Sequence, residues 1–486
     1  QDTTPLHLIE SATDLKNECQ YCQQELSDIR ASLWYKAFAA TRRAKHFCYQ
    51  KSAIFSATPP QYKVLLNRFR TQAPAKLRSI KAQCSQWVTA SPLYSKWNAK
   101  PSIAKTTQSE PDEAVDVIIP VYKGLDETQA CIESVLKSKN KTCYRILVIN
   151  DASPEPEVTQ WLREAAQDHH FTLLENEHNL GFVKTVNKGM RTSTSADVVL
   201  LNSDTEVADH WLDRLVAAAY RGTDNTKPVG TVTPFSNNAT ICSYPQFCQD
   251  NKLPSGYDLH KLDQLCATTL PNEAIEIPTA VGFCMYIRRD CLNQVGFFDE
   301  AHFGLGYGEE NDFCMRARAL GWIHTQALDT FVWHKGSVSF GVDQQPLHVQ
   351  RASKVIDHLH PHYHALIHSY VQKDPSLKPR MTLDLARIRK STAPVVLMIC
   401  HQRGGGTERH CHDLIQLHPQ INWLMLTPDT NGQVILQNQI QQGAIKLRFN
   451  AIPDYQDLVQ ILKYLNVCRI HWHHWLGVPD ALRHLA

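Results

Sequence analysis

Between residues 112 and 220, short runs of consecutive apolar residues alternate with longer amphipathic stretches. The first run, 115–119, stops at Pro120-Val121-Tyr122, and the second, 144–149, stops at Asn150-Asp151-Ala152-Ser153. A short third run covers 171–174, and the fourth, 198–201, gives way at once to Asn202-Ser203-Asp204-Thr205-Glu206. Continuous apolar runs of this length predict strands buried on both faces, as in a parallel sheet. The stretch 125–136 carries Leu125, Ile132, Val135 and Leu136 at helical spacing, with Asp126 as its expected cap. Further helices are expected up to about Ala166, from Asn179-Leu180-Gly181 to Met190, and over 211–220. This β-α-β-α order predicts an α/β fold with a mainly parallel sheet and helices on both faces.

In such a sheet ligands bind outside the carboxyl ends of the strands. Tyr122, Asp151 and Asp204 then fall on one edge, where a single small nucleotide can touch all three. The oxygen donors of Asn202, Asp204 and Glu206 suit a hard divalent cation shared with a diphosphate, although an acidic turn after a strand has the same composition. Pro120-Val121-Tyr122-Lys123-Gly124 is not G-x-G-x-x-G, and the chain lacks G-x-x-x-x-G-K-[ST]. Hydride-transferring dinucleotide enzymes and P-loop nucleotidases are therefore disfavoured.

Downstream, 279–287 is strand-like around Gly282, and Gly296-Phe297-Phe298-Asp299 reads as a turn. The Gly-rich loop Phe303-Gly304-Leu305-Gly306-Tyr307-Gly308 delivers Glu309-Glu310-Asn311-Asp312 onto the first turn of a helix ending near Gly321. Acidic residues there complement the helix dipole. Three carboxylates beside a glycine loop also suit a general base that must approach a hydroxyl closely. Phe331-Val332-Trp333-His334 ends another strand on a histidine, open to a structural role or to a nitrogen-ligand role.

Composition changes this picture little. At 486 residues, 43% hydrophobic, 20% charged and a net charge of +2, the chain is long enough for two or three domains, and its charge names no partner. No run of 18 or more apolar residues exists, so no membrane span is expected. The start, Gln1-Asp2-Thr3-Thr4-Pro5, has no signal-peptide pattern, and the missing initiator Met points to a trimmed or partial chain. Fifteen scattered cysteines fit free thiols in a reducing cytoplasm, and Cys19-x-x-Cys22 has no second pair at a zinc spacing. Between residues 29 and 109 there are fifteen Lys and Arg but no Asp or Glu, with Trp34, Tyr35, Phe38, Phe47, Phe55 and Trp87 interleaved. This predicts basic amphipathic helices that face an anionic membrane surface or pack on an acidic domain of the same chain. No nucleic-acid-binding motif accompanies the charge, so no nucleic-acid partner is expected. Residues 92–113 read as a linker.

Residues 346–385 look helical and carry His358, His360, His362, His364 and His368; 373–379 reads as a linker. A new α/β unit starts near Pro394, where the strand 395–400 leads into Gly404-Gly405-Gly406-Thr407-Glu408-Arg409 and a helix, with later strands at 423–427 and 468–472.

Five motifs occur in order: Val117-Ile118-Ile119-Pro120-Val121-Tyr122, Asn150-Asp151-Ala152-Ser153, Leu200-Leu201-Asn202-Ser203-Asp204, Gly308-Glu309-Glu310-Asn311-Asp312 and Trp333-His334-Lys335-Gly336-Ser337. Together, over about residues 112–343, they resemble a bacterial family 2 glycosyltransferase of the GT-A fold. The unit after Pro394 resembles the opening of a GT-B-type glycosyltransferase, expected to be inert by itself and to continue in a longer native chain. The expected organisation is a helical basic N-terminal region and linker (1–110), a Rossmann-like GT-A domain (111–345), a helical linker (346–392) and a partial GT-B-like half (393–486).

The resemblance implies inverting, metal-assisted transfer from a UDP- or dTDP-sugar to a hydroxyl of a growing surface glycan of O-antigen or capsule type. Such an acceptor is expected to be lipid-linked at the inner face of the cytoplasmic membrane. It implies donor contacts from Pro120, Val121, Tyr122, Asp151, Lys184, Asn202, Ser203 and Asp204, with Tyr122 by the base and Asp151 accepting the N3–H of uracil or thymine. Asp204 takes the place of the last acid of the family's Asp-x-Asp signature and, with Glu206 and His334, is expected to hold Mg²⁺ or Mn²⁺. Glu310 takes the place of the catalytic base, with Glu309 and Asp312 as alternatives. The chain departs from the family at Asn202, where the pattern has an acid, and at Glu310, where it has Asp. These departures leave open a catalytically degenerate scaffold that binds nucleotide or glycan and organises an assembly complex. A nucleotidyltransferase is a third alternative, and it wants a basic glycine loop after the first strand that the chain lacks.

Overall fold

Apolar residues placed on both sides of consecutive strand positions need cover on both sides, and helices supply it. The computed structural model describes residues 115–221, 227–304, 306–336, 345–401, 405–429, 433–438, 446–450, 455–474, 477–480 and 482. The basic N-terminal region with its expected membrane-facing helices and linker, Cys19, Cys22, Leu305, Ser337 and Gly404 lie outside the described residues.

The strands are Val115–Val121 (β1), Tyr144–Asn150 (β2), Thr172–Glu175 (β3), Val198–Leu201 (β4), Thr205–Glu206 (β5), Val229–Ser236 (β6), Ala274–Ile277 (β7), Cys284–Ile287 (β8) and Ile323–His334 (β9). They form one sheet in the order β3-β2-β1-β4-β8-β6-β9-β5, with β7 also on β9. Strands β3, β2, β1, β4, β6 and β9 run in one direction and β5, β7 and β8 in the other. The mainly parallel α/β architecture expected from the alternation is what forms.

Helices Leu125–Lys137 (α1), Pro156–Asp168 (α2), Phe182–Met190 (α3) and Trp211–Tyr220 (α4) lie where they were expected, as does Glu309–Ala319 (α8), while Leu259–Thr269 (α5), Arg289–Val295 (α6) and Glu300–Phe303 (α7) had no expected counterpart. Val117, Ile119, Val121, Val199 and Leu201 pack against Ile132, Val135, Leu162 and Leu215 on one face. Ile118, Val198 and Leu200 pack against Val186, Met190 and Phe313 on the other. Each such fully buried aliphatic side chain is worth about 1.5–3 kcal/mol. The expected cap of α1 differs: Asp126 sits in the first turn, and the cap position is Gly124, whose N–H donates to Glu155 Oε2 at 2.9 Å. The expected strand over 279–287 shortens to β8. Before it, backbone N–H groups take side-chain partners instead of a ladder, Ala280 to Cys314 Sγ at 3.3 Å and Val281 to Thr233 Oγ1 at 3.2 Å.

Residues 345–390 form three helices, Gln345–Leu359 (α9), Tyr363–Lys373 (α10) and Leu377–Lys390 (α11). The linker expected over 373–379 is a tight turn with Asp374 in the left-handed region, and α11 starts inside it because a proline at 379 is tolerated in a first helical turn. A second sheet, Val395–Ile399 (β10), Asn422–Pro428 (β11), Gln433–Asn438 (β12), Lys446–Asn450 (β13) and Val467–Trp472 (β14), has the order β13-β12-β11-β10-β14. Helices Gly406–Leu417 (α12) and Tyr455–Tyr464 (α13) accompany it. Helix α11 serves both sheets: Leu383 and Ala386 join Phe235, Tyr244 and Leu262, while Leu385 and Ile388 join the core of the second sheet. The two pairs are offset by two residues, about 200° around a helix. Tyr244 Oη also donates to Asp384 Oδ1 at 2.8 Å.

Candidate active site

Parallel register brings the polar strand ends together. Val121 pairs with Asn150 and Ile118 with Leu200, so residues 122, 151 and 202 leave the sheet at one edge. Pro120 and Val121 end β1, and the Val121 carbonyl accepts the Asp151 N–H at 2.8 Å. Tyr122 is partly exposed, with the Lys123 ammonium 5.5 Å from its ring centre. Asp151 is 4% exposed. Its Oδ1 accepts from Asn176 Nδ2 and the Leu180 N–H, both at 2.8 Å, and its Oδ2 accepts from the Gly181 N–H at 2.9 Å. Three of about four acceptor directions of this carboxylate therefore hold the 176–181 loop. That loop starts α3, on which Lys184 is exposed.

The next strand end is built in two layers. Asn202 is held through its backbone, donating to the Phe283 carbonyl at 2.9 Å and accepting from Thr205 Oγ1 at 2.7 Å. Ser203 and Asp204 are buried. Asp204 Oδ2 accepts the Gly336 N–H at 3.1 Å, its carbonyl accepts the Lys335 N–H at 3.0 Å, and its Oδ1 lies 3.5 Å from His334 Nε2. His334 Nδ1 donates to the Asn238 carbonyl at 2.7 Å, which fixes the proton on Nδ1 and turns Nε2 toward Asp204. The Asn237 side chain clips the His334 backbone with two bonds of 2.8 Å, and the imidazole stacks on Phe283 with centroids 5.2 Å apart. Burial alone pushes the His334 pKa down, but Asp204 and the Asn238 carbonyl override it and the net direction is up. A histidine whose Nδ1 is bound to a carbonyl and whose Nε2 faces a carboxylate is a common metal-ligand arrangement. Two ligand atoms on one divalent cation stand about 3.0–3.4 Å apart when the bonds are about 2.1 Å long. The Asp204–His334 pair, 3.5 Å apart, stands just beyond that spacing and would close on a cation by a small side-chain movement.

Glu206 does not join them. It lines a separate cavity of about 290 Å³ with Glu133, Ser134, Lys137 and Asp209. Among the described residues no three His, Cys, Asp or Glu side chains gather into a metal-holding group. Among them, too, no helix is long and apolar enough to cross a membrane.

The acidic helix start separates its three carboxylates. Gly308, at φ 92°, turns the chain into α8, and a Cβ there would press on Phe303 and Ala352. Glu309 is buried with no partner on Oε2; burial, reinforced by the charge of Glu310, raises its pKa well above the ordinary value. Asp312 is 2% exposed and holds Arg316 Nε at 2.7 Å and His360 Nε2 at 2.8 Å, so both of its oxygens are committed to packing α8. Glu310 is partly exposed and lies against Gly282, where a Cβ would stand 3.9 Å from its Cγ. Burial raises its pKa, opposed by the backbone N–H groups of the helix start and the Asn311 amide. Gly282 and Phe283 thus form a common wall, with Glu310 against one residue and His334 stacked on the next.

Asn237, Asn238, Gly282, Phe283 and His360 were not expected from the sequence. The first two carried a signal, since the apolar run of β6 ends at Ser236-Asn237-Asn238 as the other runs end in polar residues.

Residues 116–296 match the family model described as Glycosyl transferase family 2. The uncharacterized protein y4gI of Sinorhizobium fredii is 22% identical over 275 residues, covering 56% of this chain and 29% of that protein. The uncharacterized glycosyltransferase YibD of Escherichia coli K12 is 28% identical over 105 residues, covering 22% of this chain and 30% of that protein. The chain therefore spans less than a third of the length of these curated relatives. Among solved structures, GalNAc-T7 with UDP, GalNAc and Mn²⁺ aligns with a TM-score of 0.39 at 16% identity, over 68% of this chain and 67% of that one. The mannosyltransferase PcManGT from Pyrobaculum calidifontis, in complex with GDP-Man and Mn²⁺, aligns with a TM-score of 0.36 at 14% identity, over 77% and 90%.

Proposed function

We propose that the chain transfers a sugar from a nucleoside-diphosphate donor to an acceptor hydroxyl in one in-line displacement, with inversion. The observation that carries this is the wall of Gly282 and Phe283, which sets a candidate base, Glu310, beside a candidate cation-binding pair, Asp204 and His334. The donor we assign is a UDP- or dTDP-sugar, because Asp151 keeps one acceptor direction for an imide N–H. The acceptor we assign is a hydroxyl of a growing surface glycan, on the resemblance of the motifs alone.

Asp204 Oδ1 and His334 Nε2 would hold Mg²⁺ or Mn²⁺, which supplies charge stabilisation to the departing diphosphate. The protein's own part is then acid–base work and exclusion of water. Glu310 takes the proton from the acceptor oxygen as that oxygen bonds to the anomeric carbon and the bond from that carbon to the diphosphate breaks. Asn202, which cannot ionise, leaves Asp204 as the one charged ligand of its strand end. Burial and the charge of Glu310 raise the Glu309 pKa and so favour its neutral form, which lessens repulsion on the base.

The test is a panel of nucleotide sugars incubated with Mn²⁺ or Mg²⁺ and hydroxyl acceptors, read by nucleoside-diphosphate release and by mass of the acceptor. Metal-dependent release with one UDP- or dTDP-sugar and a product of inverted anomeric configuration is expected. Binding of nucleotide without turnover of any donor would favour the scaffold alternative.

A further inference from the structure

The loop between β6 and α5 closes on Asn237, and one partly exposed side chain, Asn251, closes it. The Asn251 N–H and its Nδ2 both donate to the Asn237 carbonyl at 3.0 Å. Nδ2 also donates to the carbonyls of Gln246 and Gln249, each at 2.9 Å, and Oδ1 accepts the Gln246 N–H at 3.1 Å. The amide of Asn251 is thus engaged on both its donor and its acceptor side within one loop. The carbonyl it holds belongs to the peptide that joins Asn237 to Asn238. Both groups that seat His334 leave from this peptide. The buried Asn237 side chain makes two 2.8 Å bonds to the His334 backbone, and the Asn238 carbonyl accepts from Nδ1 at 2.7 Å. Within the loop, Thr240 at φ 44° and Cys248 at φ 55° are left-handed without being glycine, and the Cys248 N–H donates to the Thr240 carbonyl at 3.1 Å. Backbone strain of this kind persists only where the surroundings over-determine it. The loop carries that strain and is held shut against it by Asn251.

We propose that Asn251 is a positioning residue for the cation side of the site: by holding the 237–238 peptide it fixes the place and turn of the His334 imidazole, and so the distance from Nε2 to Asp204 Oδ1. The inference rests on the transferase function with Asp204 and His334 as the cation-binding pair. That pair already stands 3.5 Å apart, so a seat that lets His334 drift outward costs cation affinity directly. Asn251 acts on it through Asn237 and Asn238.

Asn251→Ala removes the side-chain bonds and keeps the backbone one. The expected result is a fall of about 10-fold in UDP affinity in the presence of Mn²⁺, with Mn²⁺-free UDP affinity within twofold of the unmodified protein. In a His334→Ala background the same substitution should add less than twofold, because the two residues act through one seat. Asn251→Asp keeps the bond from the Gln246 N–H and loses the amide donors; it should match Asn251→Ala, and it serves where the alanine variant does not fold. Independently of metal, hydrogen exchange should rise in peptides covering 236–239 and 332–336 of Asn251→Ala, while β1 and β2 keep their protection. Unchanged Mn²⁺-dependent affinity with exchange raised only in 246–251 overturns the proposal, as does an affinity loss of equal size in the His334→Ala background. If the unmodified protein shows no Mn²⁺-dependent UDP binding, the cation-binding pair itself fails, and exchange in 332–336 still decides whether Asn251 seats His334.

Discussion

Replacing Gly336 by alanine should damage the cation-binding side of the site while sparing the sheet. Gly336 has φ 74°, a left-handed conformation that costs an L-residue about 1–2 kcal/mol. A Cβ there would overlap the Asn238 amide nitrogen, and Asn238 is the residue whose carbonyl orients His334. The Gly336 N–H also donates to Asp204 Oδ2 at 3.1 Å, and losing a hydrogen bond to a charged group costs about 1.5–3 kcal/mol. Keeping the turn costs that strain plus the overlap with Asn238, and releasing it costs the bond to Asp204, so the strand end after His334 must shift either way. The penalty then falls on the site: affinity for UDP in the presence of Mn²⁺ drops about 10–100-fold, the usual cost of losing an orienting partner. Calorimetric titration of UDP with and without Mn²⁺ reads the affinity, and thermal unfolding separates it from global damage. Mn²⁺-dependent affinity within twofold of the unmodified protein, at an unchanged Tm, would refute the reasoning.

Three further outcomes follow from the site. Asp151→Asn puts an amide N–H₂ among the three donors that Asp151 now accepts, so stability should fall by about 2–4 kcal/mol in urea unfolding; a shift under 0.5 kcal/mol would show that the 176–181 loop does not depend on it. Glu309 holds in the folded state a proton that the unfolded chain releases, so its contribution is full below the ordinary Glu pKa, about 4.3, and is lost as pH rises through the raised folded value. Glu309→Gln should flatten the stability profile above that pH and keep kcat within about threefold, whereas a collapse of transfer at constant donor affinity would make Glu309 the base. Transfer by the unmodified protein should weaken as pH falls through the raised pKa of Glu310.

The strand ends were legible because burial on both faces demands unbroken apolar runs, and the residue after each run must then be polar. Val198–Leu201 begins and ends where its apolar residues do. The roles of Asp151 and Asp312 were not legible, because the groups that engage them, Arg316 apart, come from 25 to 48 residues away along the chain. Periodicity marks a carboxylate near a site but not whether its oxygens are already taken. Glu206 stands apart for a related reason: the chain turns into β5 after Asp204, and the Glu206 side chain lines a different cavity. Helix α11 looked like the end of a linker because its two apolar faces, each short, face different sheets.

The central claim is that Asp204 and His334 hold the donor side while Glu310 acts only on the acceptor proton. Its most direct test measures donor affinity and transfer side by side in Asp204→Asn and Glu310→Gln, with the same nucleotide sugar, acceptor and Mn²⁺. The account predicts that Glu310→Gln binds donor as the unmodified protein does but transfers about 10²–10⁴-fold more slowly, while Asp204→Asn loses the Mn²⁺-dependent part of donor affinity. Full transfer by Glu310→Gln, or Mn²⁺-dependent donor binding that survives in Asp204→Asn, would contradict it.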